Sequence, residues 1–209
     1  MELYVIRHGQ TTWNEKGLLQ GSIDIELNES GREVAGKMGE KLEDTPFDVI
    51  FSSPLIRAYE TACLIRGHRN IPIIRDERLR EICFGDLEGK NYREIFMEGS
   101  PYITFFTDPS KYPAPPGGET FYQVIERMGE FYKEVLLPAA KKYERIMVVA
   151  HGNANKGLIF NLENNTDVKT YWGPGLQKNG EADIFVFNGE SWMRKPGTVP
   201  AVDEKWGRL

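Results

Sequence analysis

Cysteine and histidine are scarce in this chain. Among 209 residues there are two cysteines, Cys63 and Cys83, and three histidines, His8, His68 and His151. Two isolated cysteines make no disulfide framework, and their spacing fits no zinc motif. No apolar run approaches the ~20 residues that a membrane-spanning helix needs. The opening "MELYVIRHG" runs straight into a strand pattern and lacks a signal-peptide layout. Basic residues number 26 against 31 acidic ones, for a net charge of −5, and they form no stripe. Neither nucleic acid nor a membrane is therefore an expected partner. There is no Walker-type glycine loop and no H-E-x-x-H site, so neither a metal nor a cofactor is expected. No repeat and no low-complexity tract interrupts the chain. A reducing cytoplasm is the expected location.

What is present is a series of concentrated apolar runs. Candidate strands are 2–6, 47–51, 71–74, 146–150, 182–187 and 191–194. The last two flank Asn188-Gly189, a tight-hairpin signal because both residue types tolerate positive φ. Helical patterns lie between them. Asn28 predicts an N-cap for a helix to about Leu42, and 55–66 predicts a second helix. The longest pattern, 119–143, places Phe121, Ile125, Met128, Tyr132, Val135 and Ala139 at helical spacing. Glu119 is its expected cap, and Pro138 should kink or end it. A further helix should follow Gly152, with Leu158, Ile159 and Leu162 facing inward. Strands alternating with helices, and apolar enough to be covered on both sides, predict an α/β layer fold with a mainly parallel sheet. "SPYITFFTDPSKYPAPPGG", 100–118, resists this pattern. A loop this long in a compact domain is functional or disordered. Its aromatics Tyr102, Phe105, Phe106 and Tyr112 argue for a packed lid, as core or as substrate contacts. The segment from Pro196 to Leu209 has no pattern and is read as a tail that wraps the domain or an oligomer partner.

In parallel α/β sheets ligands bind beyond the carboxyl ends of the strands. Three such ends carry chemistry here. "LYVIRHG" delivers Arg7 and His8, "IMVVAHG" delivers His151, and "SSPLIRAYETA" puts Arg57 in a first helical turn. Two arginines and two histidines gathered at one sheet edge repel each other unless an anion fills the space. Phosphate suits them, because guanidinium forks pair bidentately with its oxygens, and the helix after Gly152 would add backbone N–H groups. A neutral imidazole among cations is also a nucleophile. Phosphoryl transfer further needs an acid for the leaving group; "LREICFGDLEG" offers Glu81, Asp86 and Glu88. One decoy is set aside. Cys63 and Arg69 have the C-x-x-x-x-x-R spacing of cysteine phosphatases, but Cys63 falls inside a predicted helix and reads as a core residue. Arg66 reads as a solvated helix residue and His68 as an exposed turn residue.

"RHGQTTWN" (7–14), "LQG" (19–21), "SSPLIRAYETA" (52–62), "LREICFGDLEG" (79–89), "PPGGET" (115–120) and "VVAHG" (148–152) stand in the order found in the histidine phosphatase superfamily. The chain resembles this phosphoglycerate-mutase-like group from Glu2 to about Trp192. The resemblance implies a three-layer fold in a single domain, 1–209, with a lid insert at about 92–118 and a tail at about 196–209. It implies that His8 is the phosphorylated nucleophile, that Arg7, Arg57 and His151 clamp the phosphate, and that Asn14 contacts it. Gln20 and Gly21 would line the pocket, and Glu81 would donate a proton and later activate water. The resemblance, not spacing, selects Glu81; Asp86 and Glu88 are then turn and capping residues. Gly9, Gln10, Thr11, Gly152 and Asn153 lie within the same motifs and are further substrate-binding candidates. Asn153 departs from the pattern, since many relatives carry a small residue there.

The implied activity is hydrolysis of a small phosphorylated metabolite through phosphohistidine, without a metal. "REICFGDLEGK" resembles the phosphatase branch. A phosphoglycerate mutase would need extra cations over the pocket, and 95–126 holds only Lys111 against Glu98, Asp108, Glu119 and Glu126. The alternatives are mutase-type transfer and a catalytically silent phosphate-binding module. A homo-oligomer is left open.

Overall fold

Alternating apolar residues along the first strand face opposite sides of the sheet, and that alternation builds the molecule. The computed structural model describes residues 1–196. The chain runs β1 (Glu2–Arg7), α1 (Thr12–Lys16), α2 (Glu29–Lys41), β2 (Val49–Ser52), α3 (Ile56–Arg66) and β3 (Ile73–Arg75). It continues through α4 (Tyr92–Ile95), α5 (Thr104–Thr107), α6 (Phe121–Phe131), α7 (Leu137–Ala140), β4 (Arg145–Ala150) and α8 (Gly152–Leu162). The strands β5 (Ala182–Phe187) and β6 (Trp192–Arg194) follow.

The six strands form one sheet in the order β3-β2-β4-β1-β5-β6. β1, β2, β3 and β4 are parallel; β5 pairs antiparallel with β1, and β6 antiparallel with β5 at the sheet edge. Leu3 and Val5 join Val49, Phe51, Ile146 and Val148 in a core covered by α6, α8 and the aromatic segment. Tyr4 and Ile6 join Ile50, Met147 and Val149 under α2 and α3, which contribute Met38, Ala58, Ala62 and Ile65. This is the expected three-layer α/β fold, with helices on both faces of a mostly parallel sheet. Among the described residues no helix is long and apolar enough to cross a membrane.

Several local expectations change. Thr120, not Glu119, caps α6: its side chain accepts from the Gln123 N–H while the Gln123 side chain accepts from the Thr120 N–H, a reciprocal cap. The buried stripe of α6 uses Val124 and Phe131, while Ile125, Tyr132 and Val135 are only partly buried. Between α6 and α7 the chain makes a π-helical turn, Tyr132–Leu136, just before Pro138, and α7 ends at Ala140. Proline cannot donate to the preceding turn, so the helix widens there instead of breaking. The β5–β6 connection is longer than a two-residue turn, and of the Asn-Gly pair only Gly189 takes positive φ. The Asn188 side chain instead accepts from the Glu190 and Ser191 N–H groups.

The 100–118 segment is packed. Phe105 stacks on Phe96 with centroids 4.5 Å apart and meets Tyr112 at 5.0 Å and Phe121 at 5.0 Å. Phe105 and Tyr112 are buried in the core, and the Trp172 indole N–H donates to the Phe105 carbonyl at 2.6 Å. Only Phe106 of the segment's phenylalanines is exposed. Cys63 lies in α3 but is half-buried, not a full core residue. Arg69 donates to the carbonyls of Ile65, Arg66, Leu42 and Thr45, where it closes helix ends. The tail expectation falls almost wholly outside the described residues.

Candidate active site

Sheet register brings the motif residues together. Arg7 pairs with Ala150 across β1 and β4, and Ser52 pairs with Val149 across β2 and β4. The next residue on each strand is His8, His151 or Ser53, so three strand ends deliver three side chains to one edge. The His8 N–H donates to the Ala150 carbonyl at 3.0 Å and the Ser53 N–H to the Val149 carbonyl at 3.0 Å. The rings of His8 and His151 then lie 5.0 Å apart, inclined at 60°.

The hydrogen bonds of His8 fix its chemistry. Its Nδ1 lies 2.6 Å from the Gly9 carbonyl oxygen. A carbonyl only accepts, so Nδ1 carries the proton. In the neutral ring Nε2 is then a bare lone pair, and the ring's hydrogen bond among the described residues is made through Nδ1 alone. Burial, then the charges of Arg57 and Arg7, push His8 well below its ordinary pKa of 6.5. His151 is lowered in the same way by burial, Arg57 and His8. Its Nε2 sits 2.8 Å from Ser53 Oγ, and its buried Nδ1 has no partner. Ser53 Oγ already accepts from the Leu55 N–H at 3.3 Å. With Ser53 donating its hydroxyl proton to Nε2, the His151 Nδ1–H is left to face an acceptor.

Arg57 is wholly buried. It donates to the Gly21 carbonyl at 2.7 Å and the Ile23 carbonyl at 2.8 Å, while its Nε–H is unpartnered. Burial lowers its pKa to about 10, against the opposing pull of Glu81, Asp24 and Glu88. The same arginine therefore shapes the Gly21 loop and keeps N–H groups free. Gly21 has φ +52°, and a Cβ there would come within 2.0 Å of Glu88 Oε1, so only glycine fits. Glu88 holds that loop by accepting from the N–H groups of Ser22 and Phe84, which extends its expected capping role. Arg7 donates to the Gln177 carbonyl at 2.5 Å, and its Nε–H is likewise unpartnered. It lies against α8, its Cζ 3.6 Å from where a Cβ on Gly152 would sit.

Glu81 stands where the anion was expected to meet the helix. Its Oε1 accepts from the N–H groups of Ile82 at 2.9 Å, Asn153 at 3.1 Å and Ala154 at 3.1 Å. The first amides of α8 are thus directed at this carboxylate and not held open for phosphate. Oε2 keeps only a long contact, 3.3 Å, from the Asn153 N–H. Asn153 itself is buried, its carbonyl accepts from the Tyr171 hydroxyl at 2.7 Å, and its Oδ1 is unpartnered.

The remaining candidates are more tied down. Asn14 Oδ1 accepts from the Thr11 N–H in the cap of α1, and the Thr11 hydroxyl reaches Gln20 Oε1 at 2.9 Å. Gln10 Oε1 accepts from Asn28, the cap of α2. The Gly9 N–H donates to Thr61 Oγ1 at 3.0 Å. Four supporting residues escape the sequence reading: Ser53, Thr61, Gln177 and Asn179, whose amide donates to the His8 carbonyl at 2.8 Å. Ser53 and Thr61 lay inside a quoted motif; Gln177 and Asn179 come from a stretch without pattern. Among the described residues no group of three or more His, Cys, Asp and Glu side chains is placed to hold a metal ion.

Comparison with known proteins identifies the family. The profile of the Histidine phosphatase superfamily (branch 1) matches residues 3–195. The chain belongs to that superfamily. A 2,3-bisphosphoglycerate-dependent phosphoglycerate mutase of Cytophaga hutchinsonii is 36% identical over 163 residues, covering 77% of this chain and 76% of that protein. The structure of Bacillus stearothermophilus YhfR superposes with a TM-score of 0.82 at 34% identity, over 92% of this chain and 94% of that one. The alpha-ribazole phosphatase of Shigella flexneri superposes with a TM-score of 0.82 at 27% identity, over 93% and 95%. The relatives of this histidine phosphatase superfamily member thus include both mutases and phosphatases.

Proposed function

We propose that the protein is a phosphomonoester hydrolase acting on a small phosphorylated metabolite through phosphohistidine. The observation that carries this reading is the buried His8 ring, protonated at Nδ1 by its bond to the Gly9 carbonyl and bare at Nε2. The Nε2 lone pair attacks phosphorus as the ester P–O bond breaks. The unpartnered Nε–H groups of Arg7 and Arg57 and the Nδ1–H of His151 stabilise the charge on the phosphoryl oxygens. Glu81, entering this step as the carboxylic acid, gives its proton to the departing alkoxide through Oε2, the oxygen that its backbone contacts hold least closely. A water then attacks the phosphohistidine, Glu81 takes its proton, and inorganic phosphate leaves with His8 restored.

The mutase reading is favoured by the relative from Cytophaga hutchinsonii. Against it stands the lid. Across 95–126 the single basic residue, Lys111, is 73% exposed and pairs with Asp108 at 3.2 Å. Glu119 pairs with Arg127. The segment therefore offers no free cation for a second anionic group of a phosphoglycerate. Incubation with p-nitrophenyl phosphate, and separately with 3-phosphoglycerate plus 2,3-bisphosphoglycerate, separates the two. Phosphate release should dominate; isomerisation with negligible phosphate release would establish the mutase instead.

A further inference from the structure

Glu81 lies in a stretch that is neither helix nor strand, 81–83. Its backbone is therefore not fixed by a ladder, yet proton transfer needs its carboxyl held to a fraction of an ångström. Two helices supply the constraint. From α8 come the N–H groups that hold the carboxylate. From α6 comes Arg127, whose NH1 donates to the carbonyls of Arg78 at 2.6 Å and Arg80 at 2.8 Å. Its Nε and NH2 form a fork with Glu119 at 2.8 and 3.0 Å. Glu119 Oε2 in turn accepts from the Cys83 N–H at 2.9 Å, and the Glu119 N–H donates to the Cys83 carbonyl at 2.8 Å. The contacts fall three and one residues before Glu81 and two after it. The two helices are themselves joined, since the Asn161 amide of α8 donates to the Ile125 carbonyl of α6 at 3.0 Å.

We propose that the Arg127–Glu119 pair is the positioning device for Glu81, gripping the backbone on both sides of it so that α6 and α8 together aim its carboxyl at the leaving group. The proposal rests on the proton-donor reading of Glu81. Arginine suits the position because its planar fork serves two carbonyls and a carboxylate at once, which a lysine ammonium cannot do in one plane. Neither Arg127 nor Glu119 hydrogen-bonds to the phosphate clamp, and only the charge of Arg127 reaches it, at His151, behind the larger effects of burial, Arg57 and His8. Loss of the pair should therefore disturb proton delivery and leave phosphate binding in place.

The test compares kcat/KM for an alkyl phosphate, whose alkoxide needs a proton, with that for p-nitrophenyl phosphate, whose leaving group hardly does. A positioned acid contributes a factor of order 10²–10⁴, so Arg127→Gln should slow the alkyl ester by roughly tenfold or more and p-nitrophenyl phosphate far less. Glu119→Gln, which keeps an acceptor for the Cys83 N–H, should show the same split to a smaller degree, and Arg127→Lys should restore part of the loss. Inhibition by inorganic phosphate should change far less than the alkyl-ester rate. In a Glu81→Gln background, Arg127→Gln should add little. Should Arg127→Gln fail to fold, Arg127→Lys and Glu119→Gln carry the same comparison. Equal slowing of both esters, or slowing of neither, would overturn the positioning role. Glu81→Gln alone tells the two readings apart: if it slows both esters equally, the proton-donor assignment falls, whatever Arg127 does.

Discussion

His8 and His151 are neutral for the same reason that they are useful. Both are buried beside arginines, and in both the charged form is disfavoured. In the unfolded chain each titrates near its ordinary value of 6.5. As the pH falls through that value the unfolded chain takes up protons that the folded chain refuses, so stability rises with pH across this window. The melting temperature of phosphate-free protein should therefore fall between about pH 7 and about pH 5, and a His8→Gln/His151→Gln variant should have a flatter profile. An unchanged slope in the variant would show that these rings are not held neutral. At this scale the sequence was informative about which residues converge and less so about their hydrogen bonds. The tautomer of His8 depends on the Gly9 carbonyl, and the orientation of His151 depends on Ser53. Neither contact has a spacing signature. The first amides of α8 illustrate the limit best, because a helix N-terminus can serve any acceptor and here it serves the Glu81 carboxyl.

Elements set the distances that residues use. β1, β2 and β4 end in register because all three are parallel, and this alone gathers residues far apart in sequence. Their existence was legible from short apolar runs; their boundaries shifted by a residue or two, as ends set by capping and pairing do. α6 was legible as a periodic segment, but its cap was misread as Glu119, although Thr120 with Gln123 three residues on has the capping-box spacing. The structure gives the cap to Thr120, with Gln123 closing the box. Thr120→Ala should cost about 1 kcal/mol of stability, read as a lowered melting temperature. Glu119→Ala should be distinguishable from it, since that change removes the acceptor for the Cys83 N–H and the partner of Arg127. A melting temperature unmoved by Thr120→Ala would place the helix start elsewhere.

The whole molecule divides its labour between the two sheet faces. Under α2 and α3 lies a mostly aliphatic core, with Tyr4 and Phe47 its aromatic pair. Under α6 and α8 lies the aromatic block of Phe96, Phe105, Tyr112, Phe121 and Tyr171, continuous with the sheet edge that carries the candidate site through the bond from Tyr171 to the Asn153 carbonyl. The composition of 100–118 was enough to predict packing in place of a free linker, but not that Phe105 and Tyr112 would be interior residues, because burial depends on Trp172 and Phe121, which lie outside that segment. Both halves of the fold serve to hold one imidazole nitrogen bare inside a cationic cup. The most direct test is to mix the protein with a ³²P-labelled phosphomonoester, quench in base within a turnover, and locate the label. Acid-labile, base-stable phosphate should be found on His8, and it should be absent together with turnover in His8→Ala. Turnover that persists in His8→Ala, or label found on another residue, would contradict it.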